Sequence, residues 1–215
     1  QCDIPYNADF NGASQEGAGY YQTNIRKGKR QSSARTFLKA CKSRPNLTVV
    51  TGALCERVLI EEGEAVGVEY RIKSKKGSHV ERAYARCETI LCGGVINSPQ
   101  LLELSGVGEQ QHLASVGLEV KHHLPGVGEN LQDHLTVNVQ QGLNGVPTFF
   151  EETRPLAMAK NIFKYLLKGT GLLAHPAAQV GVFFRSTNDV SRADSQIHFA
   201  PAASEPDSKG NLKPA

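Results

Sequence analysis

Apolar and polar positions alternate most regularly in the middle of the chain. Val66, Val68 and Tyr70 are separated by polar or small residues within Ala65–Ile72, the pattern of a half-buried strand. Cys55–Ile60 reads as its neighbour, with Glu61-Glu62-Gly63-Glu64 as the turn between them. Lys73–Ser78 reads as a charged hairpin tip, His79–Ala85 as a further strand, and Leu47–Val50 as a short strand ahead of the group. Ile90-Leu91-Cys92 is wholly apolar, as a strand covered on both faces would be, and is expected within a parallel sheet.

Helical spacing marks four other stretches. Ser32 or Ser33 suits the cap of a short helix that ends at Cys41, before Arg44-Pro45. After Cys92, Gly93-Gly94 reads as a turn, Ser98 as a helix cap, Pro99 as the first helical turn and Gly106 as the stop. Glu109–Val116 is a second short helix, closed by Gly117. Arg154–Lys168 is longer, with Leu156, Met158, Ile162, Phe163, Leu166 and Leu167 largely along one side and Gly169 at its end. Thr136–Gln141, Val180–Phe184 and Gln196–Phe199 read as strands. Strands interleaved with helices, then a change of texture after Asp133, predict an α/β (α+β) chain in two parts.

Composition narrows the function classes. With 215 residues and 40% hydrophobic content, the chain suffices for one ordinary domain or two partial ones. The net charge of +3, with acids interleaved among the bases, argues against a nucleic-acid face. The Arg26-Lys27-Gly28-Lys29-Arg30 cluster reads as a solvated loop. No apolar run approaches the roughly 20 residues of a membrane span. The five cysteines, Cys2, Cys41, Cys55, Cys87 and Cys92, lack Cys-x-x-Cys spacing, so reduced and mostly buried thiols are expected rather than zinc or a disulfide framework.

The order Gly93-Gly94-x-x-Asn97-Ser98-Pro99-Gln100-Leu101-Leu102-x-x-Ser105-Gly106-x-Gly108 carries more specific information. It resembles the second signature stretch of the glucose-methanol-choline (GMC) family of FAD-dependent oxidoreductases. Asp9-Phe10-Asn11-Gly12, Gly28–Arg35, Arg44–Ala53 and Leu124–His134 are similar to further blocks of that family, in its order. The resemblance implies part of a Rossmann-like FAD-binding domain over residues 32–134. It implies segments of an antiparallel-sheet substrate domain over 1–31 and 135–215. The family's N-terminal Gly-x-Gly-x-x-Gly loop has no counterpart here, because Gly17-Ala18-Gly19 is followed by tyrosines and Gln22. The segment with the catalytic His has no counterpart either, so an internal fragment is expected and no catalytic residue is assigned.

The resemblance also singles out site residues. Cys92 and Gly93 stand where relatives bring backbone against the flavin cofactor, while Gly94 is expected to serve tight strand–helix packing. Cys55 stands where relatives use a backbone group to hold the adenine. Gln179 stands where choline-oxidising relatives have Glu, which argues for a neutral alcohol rather than choline, since an amide only hydrogen-bonds. Among the histidines, His198 lies on a strand of the substrate half and His134 reads as structural. The implied activity is FAD-dependent oxidation of a primary alcohol, by a dehydrogenase or oxidase, with hydride passing to flavin N5. The electron acceptor is then oxygen, a quinone or a cytochrome. A hydroxynitrile lyase that binds FAD without using its redox chemistry, or a non-catalytic remnant, is the alternative. The expected setting is cytoplasmic or peripherally membrane-associated.

Overall fold

The structure is a computed structural model that describes residues 3–74, 77–142, 145, 148–202, 204–206 and 212–214. Along the chain come β1 (Gly17–Tyr20), β2 (Ile25–Arg26), β3 (Lys29–Arg30) and a π-helical turn (Ala34–Leu38) running into α1 (Lys39–Cys41). There follow β4 (Ala53–Glu61), β5 (Glu64–Ser74), β6 (Gly77–Tyr84), α2 (Gly94–Leu104), β7 (Val107–Gly108), α3 (Gln110–Ser115) and β8 (His122–His123). The last part holds α4 (Phe149–Glu152), α5 (Pro155–Lys168), a 3₁₀ turn (Leu172–Ala174), β9 (Val180–Phe184), β10 (Ser195–Phe199), β11 (Ser204–Pro206) and β12 (Leu212–Pro214). The chain forms two compact units, residues 48–137 and residues 1–47 with 138–215. The mixture of helix with antiparallel sheet is the α/β (α+β) class the sequence implied.

In the 48–137 unit the antiparallel meander β4–β5–β6 forms from the alternating segments, as predicted. Its first turn has Glu62 at φ 50° and Gly63 at φ 84°, and two positive φ values in a row match the right-handed twist of the flanking strands. Glu69, 5% exposed, accepts from Arg57 Nε at 2.7 Å and Arg82 Nε at 2.8 Å, so one carboxylate joins all three strands. Those hydrogen bonds, that from Arg82 foremost, hold the Glu69 carboxyl below the usual range. The core nearby contains Val58, Val107 and the fully buried Leu113. α2 is tied to β4 by Ser105, whose hydroxyl accepts from the Val58 N–H at 2.8 Å and donates to the Leu101 carbonyl.

Several sequence expectations differ here. Residues 90–92 form no strand: Ile90 is 70% exposed, and the parallel pairings among the described residues are the two-residue β7–β8 contact and the Tyr6–Ala18 bridge. An apolar run becomes a strand only where a neighbour takes up its backbone groups, and none of the described strands lies beside it. Leu47–Val50 and Thr136–Gln141 likewise form no strand. Helix α2 begins a turn earlier than Ser98-Pro99 suggested, leaving Pro99 inside it. The Ser98 hydroxyl instead reaches back to accept from the Gly93 N–H at 3.0 Å. Gly106, at φ 85°, does end the helix, and a Cβ there would collide with the Glu119 carbonyl. The thiols are less buried than expected, with Cys87 and Cys92 exposed and Cys41 and Cys55 half-buried, while Cys2 lies outside the described residues.

In the other unit β1, β9 and β10 form an antiparallel sheet in that order, so the N-terminal segment pairs with the late strands. Gly17-Ala18-Gly19 is thus a strand and not a phosphate loop. Gly181, opposite both Gly19 and His198, is bare because the Tyr21 phenol lies across it, where a Cβ would collide. Tyr21 also packs on Phe10 and meets His198 Nδ1 at 2.9 Å. Helix α5 starts at Pro155 and ends at Gly169 in the left-handed region, as its sequence signals require. Its buried residue is Asn161, 7% exposed, whereas Leu156, Ile162, Phe163, Leu166 and Leu167 face outward. The Lys27-Gly28 turn of the β2–β3 hairpin abuts Gly169 so closely that a Cβ on Gly28 would overlap its backbone.

Candidate functional site

The 48–137 unit presents the Cys92–Gly94 turn at the start of α2. A helix N-terminus leaves its first N–H groups without intrahelical acceptors and carries the positive end of the helix dipole, both suited to an electron-rich ligand. Gly94 has φ 85°, a conformation that L-residues rarely adopt, and a Cβ built there meets nothing within 4 Å. That is the reverse of the tight packing expected at Gly94. It is Gly93 whose Cβ direction is closed, by Asn97 Cβ at 3.1 Å and Ser98 Oγ at 3.2 Å. Cys92 is exposed, and so are Val95 and Ile96 on the first turn. Upstream, the Thr89 hydroxyl is buried with no hydrogen-bond partner.

Cys55 lies on β4 opposite Tyr70, and the register then slips between Cys55 and Arg57. Such an irregularity takes a residue out of the ladder and exposes backbone groups to another acceptor or donor. The thiol itself is half-buried, and that burial pushes its pKa up, so it stays protonated and unreactive near neutral pH. Any role for Cys55 therefore falls to its backbone.

The 1–47/138–215 unit holds a cavity of about 360 Å³ that Gln179 lines, together with Glu152, Asn161, Lys164 and His175. Gln179 stands just before β9, held there by its carbonyl, which accepts from the Tyr21 N–H at 2.9 Å. Glu152 ends α4, a single turn fixed by Thr148. The Thr148 hydroxyl accepts from the Phe150 N–H at 3.3 Å, and the Thr148 N–H donates to Glu151 Oε2 at 2.7 Å. Asn161 donates to Glu152 Oε2 at 2.8 Å and to the Glu152 carbonyl at 3.2 Å. The neutral cavity that Gln179 suggested thus contains a carboxylate from a different element. His198 is on β10 in contact with Tyr21 and does not line this cavity, and the His134 backbone N–H donates to Asp133 Oδ1 at 2.7 Å.

Glu152, Asn161 and Lys164 were not singled out from the sequence. Thr148-x-x-Glu151 is a readable capping signal for α4, but nothing local indicates that the next residue, Glu152, opens onto a cavity shared with Gln179. Among the described residues no cluster of His, Cys, Asp or Glu could hold a metal ion, and no helix is long and apolar enough to cross a membrane.

An antiparallel meander joined to a glycine-led helix, and a separate sheet built from the first and last strands, define a class already suggested by the motifs. The family profile described as GMC oxidoreductase matches residues 1–136, and the chain belongs to that family. It is 43% identical over 202 residues to the mitochondrial choline dehydrogenase of Homo sapiens, covering 94% of this chain and 33% of that protein. It is 39% identical over 210 residues to an alcohol dehydrogenase (acceptor) of Pseudomonas putida, covering 94% of this chain and 36% of that one. Among solved structures, an FAD-dependent oxidoreductase from Chaetomium thermophilum matches with a TM-score of 0.69 and 25% identity, over 84% of this chain and 32% of that one. A formate oxidase matches in fold, with a TM-score of 0.68 and 23% identity, over 84% of this chain and 31% of that one. The chain spans about a third of the length of the curated relatives it matches.

Proposed function

We propose that the chain is part of an FAD-dependent oxidoreductase acting on CH–OH groups, with a primary alcohol as hydride donor. The observation that carries the reading is the open glycine turn at the α2 N-terminus, inside the segment that matches the GMC family. Residues 48–137 contribute to the FAD-binding domain. Residues 1–47 and 138–215 contribute to the substrate domain.

FAD suits the residues present. At Gly94 a side chain would fill the space next to the turn, and its absence lets a flat ring system approach the backbone. The N–H groups of the first α2 turn offer hydrogen bonds to such a group. Cys92 and Gly93 supply backbone there, and Cys55 supplies backbone to the adenine end, a role that does not depend on its thiol. When bound, the flavin provides the two-electron acceptor for the carbinol hydride. Gln179 orients the alcohol by hydrogen bonding, and its own position is set by Tyr21 through the carbonyl contact.

Mixing the flavin-loaded full-length protein to which this chain contributes with a primary alcohol in the absence of oxygen tests the reading. Loss of the flavin's visible absorption together with aldehyde formation is expected. Cleavage of a cyanohydrin with the flavin remaining oxidised would instead establish the lyase, and neither reaction would leave the non-catalytic remnant. The electron acceptor is then assigned by which of oxygen, a quinone or a cytochrome restores the oxidised spectrum.

A further inference from the structure

Two side chains of opposite charge open onto the Gln179 cavity, Glu152 from the end of α4 and Lys164 from the middle of α5. Neither forms an ion pair with any described residue. The Glu152 carboxylate is nevertheless fixed, since the buried Asn161 amide holds one of its oxygens and its backbone carbonyl together. The Lys164 stem is fixed as well. It lies across Gly171, where a Cβ would meet Lys164 Cδ at 3.1 Å and Cε at 3.6 Å. The rest of the wall includes apolar surface from Phe149, Leu172 and Pro201, the Thr148 hydroxyl and the His175 imidazole.

An acid and a base that share one small cavity without pairing are poorly matched to a singly charged guest. A lone cation attracted by Glu152 is repelled by Lys164, and a lone anion meets the converse. A molecule carrying both charges satisfies both. We propose that this cavity binds a small zwitterion, its ammonium group on Glu152 and its carboxylate on Lys164. That the zwitterion also bears the hydroxyl to be oxidised rests on the reading of Gln179 as a substrate-binding residue; the binding itself does not.

Three probes of matched length test it by isothermal titration: 4-aminobutyrate with both charges, butylamine with only the cation, and butyrate with only the anion. Glu152→Gln and Lys164→Gln are both at exposed positions, and melting curves confirm that the variants fold. 4-Aminobutyrate should bind about fivefold or more tighter than either single-charge probe, the upper range for one partly exposed ion pair. Glu152→Gln should weaken 4-aminobutyrate about three- to fivefold while strengthening butyrate, and Lys164→Gln should do the mirror image with butylamine. No binding of 4-aminobutyrate, equal binding of a single-charge probe, or an order unchanged by either variant overturns the proposal. Because no turnover is read, such a failure leaves the oxidoreductase reading standing, whereas a protein that binds the zwitterion but whose flavin no alcohol reduces fails that reading alone.

Discussion

Replacing Ser105 with Ala removes one oxygen atom from the junction between α2 and β4. Both partners are enclosed, Ser105 at 5% and Val58 at 4% exposure, so water does not replace the lost hydroxyl. The Val58 N–H loses its acceptor at 2.8 Å, whereas the Leu101 carbonyl keeps the Ser105 N–H at 3.1 Å. The net change is therefore one buried donor without a partner, a cost of about 1–3 kcal/mol. That corresponds to a roughly 5- to 150-fold shift of the unfolding equilibrium and, for a chain of this size, to about 2–12 °C in Tm. The matched control is Ser115→Ala, whose hydroxyl makes the exposed bond to the His112 carbonyl at 2.7 Å and whose loss should stay within about 0.5 kcal/mol. Urea denaturation gives the free energies, and hydrogen exchange at the Val58 amide locates the effect. A Ser105→Ala cost no larger than that of Ser115→Ala, with Val58 exchange unchanged, would refute the reasoning.

Further outcomes follow from the same geometry. Leu113→Ala empties a fully buried site and should cost about 2–5 kcal/mol by denaturant unfolding. The Glu69 carboxyl has a folded pKa below its unfolded one of about 4.3, so the stability it contributes is full above that value and is lost as pH falls through the folded pKa. Glu69→Gln should accordingly flatten the acid limb of the stability profile, and an unchanged limb would assign that loss to other carboxylates. Gln179→Glu adds a second carboxylate beside Glu152 and should raise kcat/KM for a cationic alcohol relative to a neutral one, a ratio that stays constant if Gln179 does not face substrate.

Where local chemistry decides an element, the sequence was sufficient. Alternation around Glu61–Glu64 located the first hairpin, and Gly169 located the end of α5, because turn and cap residues act through their own φ values. The pairing of the N-terminal strand β1 with β9 is long-range, and periodicity alone does not give it. Partners were not legible. Ile90–Cys92 has strand composition but no neighbouring strand among the described residues, and α5 has an apolar side that faces outward while its polar Asn161 packs inward. Periodicity tells which residues share a side and not what that side meets. Ser98-Pro99 misled for a related reason: the hydroxyl that would cap a following helix bonds backward to Gly93 within a helix already begun. At the site, Gln179 and Glu152 come from separate elements, and only folding sets them around one cavity.

The central claim, that FAD lies against the turn at the start of α2, is tested most directly by comparing two glycines. Gly94 and Gly117 have similar positive φ values, 85° and 77°, and at neither would an added Cβ meet an atom within 4 Å. Alanine at either position therefore carries a similar backbone strain of about 1–3 kcal/mol, so strain alone does not separate them. FAD affinity of the apoprotein, measured by fluorescence titration, should fall about tenfold or more for Gly94→Ala, roughly 1.4 kcal/mol, and stay near the parent value for Gly117→Ala. Equal affinities for the two variants would place the cofactor elsewhere and contradict the account.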